Sequence, residues 1–105
     1  MTQLQLPVHS LLEDRFWKFH TEHPEVYSHL RHFAYQWRKS RGPQSHIGIK
    51  ALFERVRWEL SLRLIGAPKL NNNHTAFYAR LLMDDNPELR GIFRLRLQKV
   101  ESSLG

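Results

Sequence analysis

A helical repeat of apolar residues runs through most of this chain of 105 residues, broken only by short stretches of proline, glycine or asparagine. The repeat is clearest between residues 45 and 64, where apolar side chains recur every three or four positions. These side chains belong to Ile49, Leu52, Phe53, Val56, Leu60 and Leu64. Such spacing places them on one face of an α-helix. The sequence therefore predicts a long amphipathic helix here, with Ser45 as its N-cap.

Two helices are predicted before this one. Ser10 and Glu13 have the spacing of a capping box, in which each side chain bonds a backbone N–H at a helix start. We therefore expect a first helix from Ser10, preceded by a loose N-terminal arm of residues 1–9. Pro24 suits the first position of a second helix, because a proline there gives up no helical hydrogen bond. Gly42 should end that helix after a basic last turn.

Two more helices are predicted in the last third of the chain. Asparagine favours caps and turns, so one of the three asparagines at 71–73 should open a fourth helix that runs to about Asp85. A fifth should start at Pro87, where a Pro-Glu pair repeats the start signal of the second helix. The residues after Phe93 alternate as a strand would, yet no second strand candidate could pair with them, so we predict a helix there too.

These elements predict an all-α fold, with residues 1–105 forming a single compact domain of about five helices. A helix-turn-helix-like arrangement is one form that the domain could take, with the fourth helix as the recognition helix. The loop between Ile65 and the asparagines is longer than the three or four residues of that motif, which counts against this form.

Charge makes polyanions plausible partners. Sixteen Lys and Arg residues against ten Asp and Glu residues give a formal net charge of +6 at pH 7. A positive surplus attracts nucleic acid without specifying a sequence, and many basic domains bind proteins instead. Charge alone therefore leaves both classes of partner open.

The absence of cysteine excludes disulfides and thiolate metal sites, and is typical of proteins in a reducing compartment. The first residues, MTQLQLPVHSLLEDRF, lack a basic leader followed by an apolar run, and no stretch approaches the ~18 apolar residues of a membrane span. We therefore expect a cytoplasmic protein without a membrane partner. The sequence leaves its oligomeric state open.

The fourth helix carries the first functional hypothesis, which is DNA binding. Its less apolar side holds Thr75, Ala76, Ala79 and Arg80, small residues beside one guanidinium. Such a face could approach a DNA groove closely and read guanine through Arg80. The alternative is that a helix apolar or small nearly all round is the buried central helix of a bundle.

Further polar and basic residues complete this predicted nucleic-acid site, for which we expect DNA rather than RNA. They are Lys69, Asn71, Asn72, Asn73 and His74 beside the fourth helix, and Arg38, Lys39, Arg41, Arg90 and Arg94 elsewhere. Phosphate contacts of this kind position a protein on a duplex without reading its sequence. The alternative is ordinary solvated helix faces and cations favoured at helix C-termini.

Trp58 carries the second functional hypothesis, because it lies off the main apolar stripe of its helix. With Tyr35 and Arg57 it could form a protein-binding hot spot, since Trp, Tyr and Arg dominate interface energetics. The chain would then be an interaction module that inhibits or modulates a host or competitor protein. The alternative is that Trp58 packs against another helix.

Neither an enzyme nor a metal or cofactor site is predicted. His20 with His23, and His29 with His32, have helical spacing but bring no third ligand. The adjacent aspartates at 84–85 point about 100° apart on a helix and do not converge. No Gly-rich phosphate loop, nucleophile elbow or metalloprotease motif is present.

Roughly half of the chain resembles a family of small uncharacterised helical proteins of bacterial and phage genomes. The resemblance is carried by GIKALFERVRWE at 48–59, KLNNNHTAFYARLLM at 69–83 and NPELRGIF at 86–93. It implies a short cytoplasmic protein of phage, prophage or bacterial origin, and it transfers no activity and no catalytic residue. The residues that match its most specific segment are Lys69, Asn71, Asn72, Asn73, His74, Tyr78 and Arg80.

Overall fold

The computed structural model describes the backbone of residues 8–93 and the side chains of residues 11–93. This part of the chain contains helices, turns and loops and no strand. Its four α-helices are α1 (Val8–Glu22), α2 (Pro24–Arg41), α3 (Ile49–Arg63) and α4 (Thr75–Asp85). Short 3-10 turns, Asn72–His74 and Pro87–Leu89, precede and follow α4. The predicted all-α class is thereby confirmed for the described residues.

Helix α2 has the predicted bounds, whereas α1 begins earlier than predicted. Pro24 is the first residue of α2, and Gly42 ends it with a φ of 101°, its N–H donating to the Arg38 carbonyl over 2.8 Å. Helix α1 begins at Val8, so Ser10 lies inside the helix and the capping-box prediction is wrong. No residue between Val8 and Ser10 breaks a helix, so the spacing of Ser10 and Glu13 alone could not fix the start of α1 at Ser10. Most of the predicted arm, residues 1–7, lies outside the described residues.

The caps of α3 and α4 were predicted with mixed success. Ser45 does not cap α3, which begins at Ile49; its hydroxyl instead donates to the Gly42 carbonyl over 2.7 Å and closes the turn after α2. The predicted asparagine cap is present one turn earlier than expected: it caps the 3-10 turn before α4, whereas the N-cap position of α4 itself is His74, without a side-chain cap. The Asn71 side chain accepts from the backbone N–H of Asn73 over 2.8 Å, which starts the 3-10 turn leading into α4.

The predicted fifth helix and the helix-turn-helix-like arrangement are not confirmed. Pro87 opens only a 3-10 turn, and Gly91 follows it with a φ of 83°, a conformation that interrupts a helix. The predicted helix after Phe93 lies outside the described residues. The connection between α3 and α4 spans residues 64–74, longer than the tight motif allows.

Helix α4 lies at the centre of one apolar core. Its Tyr78, Ala79 and Leu82 are fully buried and pack with side chains from α1, α2, α3 and the segment that follows α4. Those side chains are Phe16, Val26, Leu30, Ala34, Leu52, Phe53, Val56, Leu60, Leu70, Leu89, Ile92 and Phe93. None of the helices within residues 8–93 combines the length and hydropathy that a membrane crossing requires.

Asn86, directly after α4, joins this helix to α2 through one buried amide. Its Oδ1 accepts from Arg31 Nε over 2.8 Å, and its Nδ2 donates to Tyr27 Oη over 3.1 Å and to the Leu82 carbonyl over 2.8 Å. The amide is thus satisfied on both sides, as a buried polar group must be. It fixes the direction in which the chain leaves α4, along α2.

Candidate binding surfaces

The loop that carries most of the predicted nucleic-acid residues is largely engaged in its own structure. Asn71 caps the turn, and the Asn72 Oδ1 accepts from Arg57 Nη2 over 2.8 Å. The Thr75 hydroxyl donates to the Asn72 carbonyl over 3.1 Å. Lys69 and Asn73 are exposed, and their side chains form no hydrogen bond within the described part of the chain. The loop therefore presents few groups to a ligand.

His74 is buried, so its predicted contact with DNA is wrong. Only 3% of the residue is exposed, and its ring lies 5.8 Å from that of Phe16 and 5.5 Å from that of Phe19. His74 precedes Tyr78 by four residues and therefore lies on the same, inward face. Burial lowers the pKa of His74, which favours the neutral ring.

The predicted reading face of α4 is also wrong in part. Ala79 is fully buried and Thr75 half-buried, so only Ala76 and Arg80 of this face are exposed. Because α4 is apolar or small nearly all round, its sequence pattern could not decide which side meets the core. The alternative of a buried central helix describes α4 better.

Arg80 lies in a groove between α1 and α4 that also contains two carboxylates. The groove is lined by Glu13, Phe16, Trp17, Ala76, Phe77, Arg80, Leu81 and Asp84. The Arg80 guanidinium lies 5.8 Å from the centre of the Phe77 ring. Since Glu13 and Asp84 repel phosphate, this groove is a poor setting for a base-reading arginine.

The other predicted basic residues of the described chain are Arg38, Lys39 and Arg41 at the end of α2, and Arg90 after α4; we call these four residues the basic end. Two contacts join the segment that follows Arg90 to the loop after α2. The Ile47 N–H donates to the Ile92 carbonyl over 3.0 Å, and the His46 ring lies 2.9 Å from the Gly91 carbonyl. The loop after α2 is thereby bound to the segment that follows α4. Arg94 lies outside the described residues.

One carboxylate, Glu88, lies close enough to the basic end for the charge of Arg38 to help lower its pKa. None of its four members forms an ion pair within the described residues, and the Arg41 guanidinium lies over the Trp37 ring at 4.7 Å. Glu88 is the nearby acid, and its carboxylate accepts from the Tyr35 hydroxyl over 2.7 Å, which lowers the pKa of Glu88. Arg38, Lys39 and Arg41 thus form the last turn of α2, and Arg90 precedes a segment that is hydrogen-bonded to the loop after α2.

A large apolar area is exposed at the C-terminal half of α3. Trp58 is 63% exposed, Leu62 is 66% exposed, and Ile65 just beyond the helix is fully exposed. Trp58 therefore does not pack against another helix within the described part of the chain. Its position off the main stripe indicated this, whereas Leu62 and Ile65 were not singled out from the sequence.

The predicted hot spot of Trp58, Tyr35 and Arg57 is not brought together. The Tyr35 hydroxyl contacts Glu88, and Arg57 donates to Asn72 and forms an ion pair with Glu54. The helical geometry of α3 accounts for this. Arg57 and Trp58 are adjacent in sequence and so point about 100° apart.

A shallow apolar groove between α2 and α3 continues this exposed area. It is lined by Phe33, Gln36, Trp37, Ile47, Ala51, Leu52 and Arg55. Ala51, Arg55, Trp58 and Leu62 follow one another along α3 at spacings of four, three and four, and therefore form one line. We call the groove together with Trp58 and Leu62 the α2–α3 surface.

A metal centre is not apparent among residues 11–93, where no group of three or more His, Cys, Asp or Glu side chains is placed to hold an ion. The functional candidates are therefore the basic end and the α2–α3 surface. Compared with known proteins, the chain matches no family model, no curated protein and no solved structure.

Proposed function

We propose that this chain is a protein-binding module whose partner covers the α2–α3 surface. The exposure of Trp58 and Leu62 on one helix line carries the proposal. Contiguous exposed apolar area that includes an aromatic side chain is typical of protein interaction sites rather than of ordinary monomer surfaces. Burying it releases roughly 25 cal/mol for each Å² removed from water. Trp is also among the residue types that dominate interface energetics.

In this function the chain inhibits or modulates a host or competitor protein in the cytoplasm, by occupying a surface rather than by catalysis. An inhibitor of this kind needs only a stable scaffold and a binding face.

A comparative capture from host-cell lysate tests the proposal. The wild-type chain is compared with Leu62→Ser and with Leu11→Ser, because Leu11 is an exposed leucine of α1 and provides a matched control. We expect a protein that is retained by the wild type and the control and depleted at least about tenfold by Leu62→Ser, with direct binding then measured for the purified pair. Equal retention by all three chains would overturn the proposal.

A second candidate function is DNA binding through the basic end, as a regulator of phage, prophage or bacterial genes. The absence of ion pairs at Arg38, Lys39, Arg41 and Arg90 among the described residues favours it. Cations of this kind contact phosphates and give affinity that depends steeply on salt. Because Arg80 shares its groove with two carboxylates, this candidate function does not assign the recognition of DNA bases to Arg80.

Fluorescence anisotropy with labelled duplex and single-stranded DNA, at about 50 and about 200 mM salt, tests this second candidate. The variant Lys39→Ala/Arg41→Ala is compared with Lys18→Ala/Arg63→Ala, which removes the same charge from residues that already form ion pairs. DNA binding at the basic end predicts weaker binding and a shallower salt slope for the first variant only. An equal loss of DNA affinity in both variants would show that binding depends on net charge alone, which would contradict a site at the basic end.

A further inference from the structure

We infer that the partner segment on the α2–α3 surface is an amphipathic helix with an acidic polar face, supplied by another protein. This rests on the proposed protein-binding function and adds the chemistry of the ligand. Three arguments lead to it: the shape of the surface, the charges along it, and the charges of the other possible occupants.

The shape fits a helix. The groove runs between α2 and α3, and α3 alone is 15 residues long, about 22 Å at 1.5 Å per residue. A partner helix of about four turns could lie along it with apolar residues at i, i+3/i+4 and i+7. Another mode of peptide capture adds a strand to a sheet edge, and the described residues contain no sheet that could accept one.

The charges along the groove are positive. Arg55 is the charged residue that lines it within the described part of the chain, and its guanidinium lies 4.8 Å from the centre of the Phe33 ring. The nearest carboxylate, Glu59, is engaged by Arg55 at 3.6 Å and by Arg63 at 2.9 Å. The Glu59 side chain is only 16% exposed, against 56% for Arg55 and 62% for Arg63. Arg55 is therefore the charge that a partner meets inside the groove, whereas Glu54, which is 63% exposed and paired with Arg57, lies beside Trp58.

An arginine also marks one end of the groove, where Arg41 lies over the Trp37 ring. Carboxylates of a partner helix that lay beside Arg41 and Arg55 would each face a guanidinium. Guanidinium–carboxylate pairing adds specificity and steers association.

The same charges disfavour two other occupants. A second copy of the chain related by two-fold symmetry would bring together two patches with the same surplus of arginine over glutamate. The run at 94–99, RLRLQK, carries three basic residues and no acidic one, so its charge also repels this surface. An acidic helix from a different protein is the occupant whose charge is complementary.

The test is a selection of displayed helical peptides of about 20 residues, long enough for measurable helix formation. The full chain serves as bait, with Leu62→Ser as the counter-selected bait and Leu11→Ser as the matched control. We expect amphipathic, net acidic peptides that bind the wild type and the control and bind Leu62→Ser at least about tenfold more weakly. Changing their glutamates to lysines should weaken binding by a similar factor, and Arg55→Glu should reverse that preference.

Each failure has a distinct meaning. Leu62-dependent peptides without an acidic bias would overturn the acidic helix but leave the protein-binding function standing. If no peptide depends on Leu62, a helical ligand for this surface is refuted, and the lysate comparison still tests protein binding independently. A dimer that light scattering detects in the wild type but not in Leu62→Ser would assign the surface to a second copy and overturn the inference.

Discussion

Helices α3 and α4 both carry apolar side chains on more than one face, yet the fold buries most of the apolar side chains of α4 and leaves several of α3 exposed. Around α4, the core residues Tyr78, Ala79 and Leu82 are fully buried, and half-buried Phe77 and Leu81 pack against the core from the side. Around α3, only one side is covered, and Trp58 and Leu62 of the other side are exposed. The surplus apolar surface of α4 is used for stability, whereas that of α3 remains available for a partner.

This difference separates folding from binding within one small molecule. Substitutions on α4 should mainly change the free energy of unfolding. Substitutions on the outer line of α3 should change binding and leave that free energy nearly constant. Four measurements test this division.

Tyr78→Ala should have the largest effect, because it removes a fully buried ring that lies 4.8 Å from Phe16 and 5.8 Å from Phe53. We expect a loss of about 3–5 kcal/mol in the free energy of unfolding, measured by urea denaturation followed by circular dichroism. Tyr78→Phe keeps the ring and removes a buried hydroxyl without a partner in the described residues. It should be neutral or stabilising by up to about 1 kcal/mol, and a loss as large as that of Tyr78→Ala would show that the hydroxyl has an essential partner.

A matched pair of alanines on α4 should give the next largest difference. Ala79→Leu adds volume to a fully buried site and should cost about 1–3 kcal/mol, whereas Ala76→Leu on the exposed side should change stability by less than about 0.5 kcal/mol. The reverse order would mean that the other side of α4 faces the core. Thermal and urea unfolding of both variants decide the point.

Lowering the pH should destabilise the α1–α4 contact. Burial lowers the pKa of His74, and it lowers that of His20 against an opposing effect of Asp85. Above pH 6.5, the pKa in the unfolded chain, the His74 ring is neutral in both the folded and the unfolded state, and its burial costs no stability. As the pH falls below 6.5, the unfolded chain binds the proton first, so the free energy of unfolding declines until the pH passes the lower pKa of the folded state. Unfolding free energies from about pH 7.5 to about pH 5.5 should therefore decrease, and less steeply in His74→Leu. An unchanged slope in that variant would contradict the role of His74.

Leu62→Ser and Trp58→Ala should have the smallest effect on folding, within about 0.5 kcal/mol, because neither side chain belongs to the core. Urea unfolding of both variants checks this. A destabilisation of about 2 kcal/mol would mean that the outer line of α3 is covered in the folded chain, and the contrast between α3 and α4 would disappear.

Local signals predicted the helices better than the surfaces. Pro24 and Gly42 bound α2 as expected, and an asparagine cap precedes α4, because proline, glycine and asparagine act through their own backbone preferences. The Pro-Glu signal at Pro87 repeats that of Pro24 but yields a single turn, because Gly91 follows so soon. Spacing rules also misplaced the start of α1 and the role of Ser45.

The candidate sites depended on tertiary contacts that no local pattern contains. Helical spacing placed Ala79 and Arg80 on one side of α4, but it could not show that the core would bury Ala79 and leave Arg80 exposed. It showed that Trp58 lies off the main stripe, but not that no other described element covers it. The basic end likewise depends on the contact between His46 and Gly91, which are far apart in sequence.

The buried amide of Asn86 has a consequence for hydrogen exchange. Because two of its hydrogen bonds, with Tyr27 and Arg31, reach the first half of α2 and the third returns to Leu82 of α4, the segment at 86–89 cannot open without disturbing both helices. The backbone N–H groups that form hydrogen bonds within this turn should therefore exchange only when α2 also opens, as one cooperative unit, and not by local fraying. Protection against exchange should reach almost to the last described residue of the chain, even though the segment forms only a single turn.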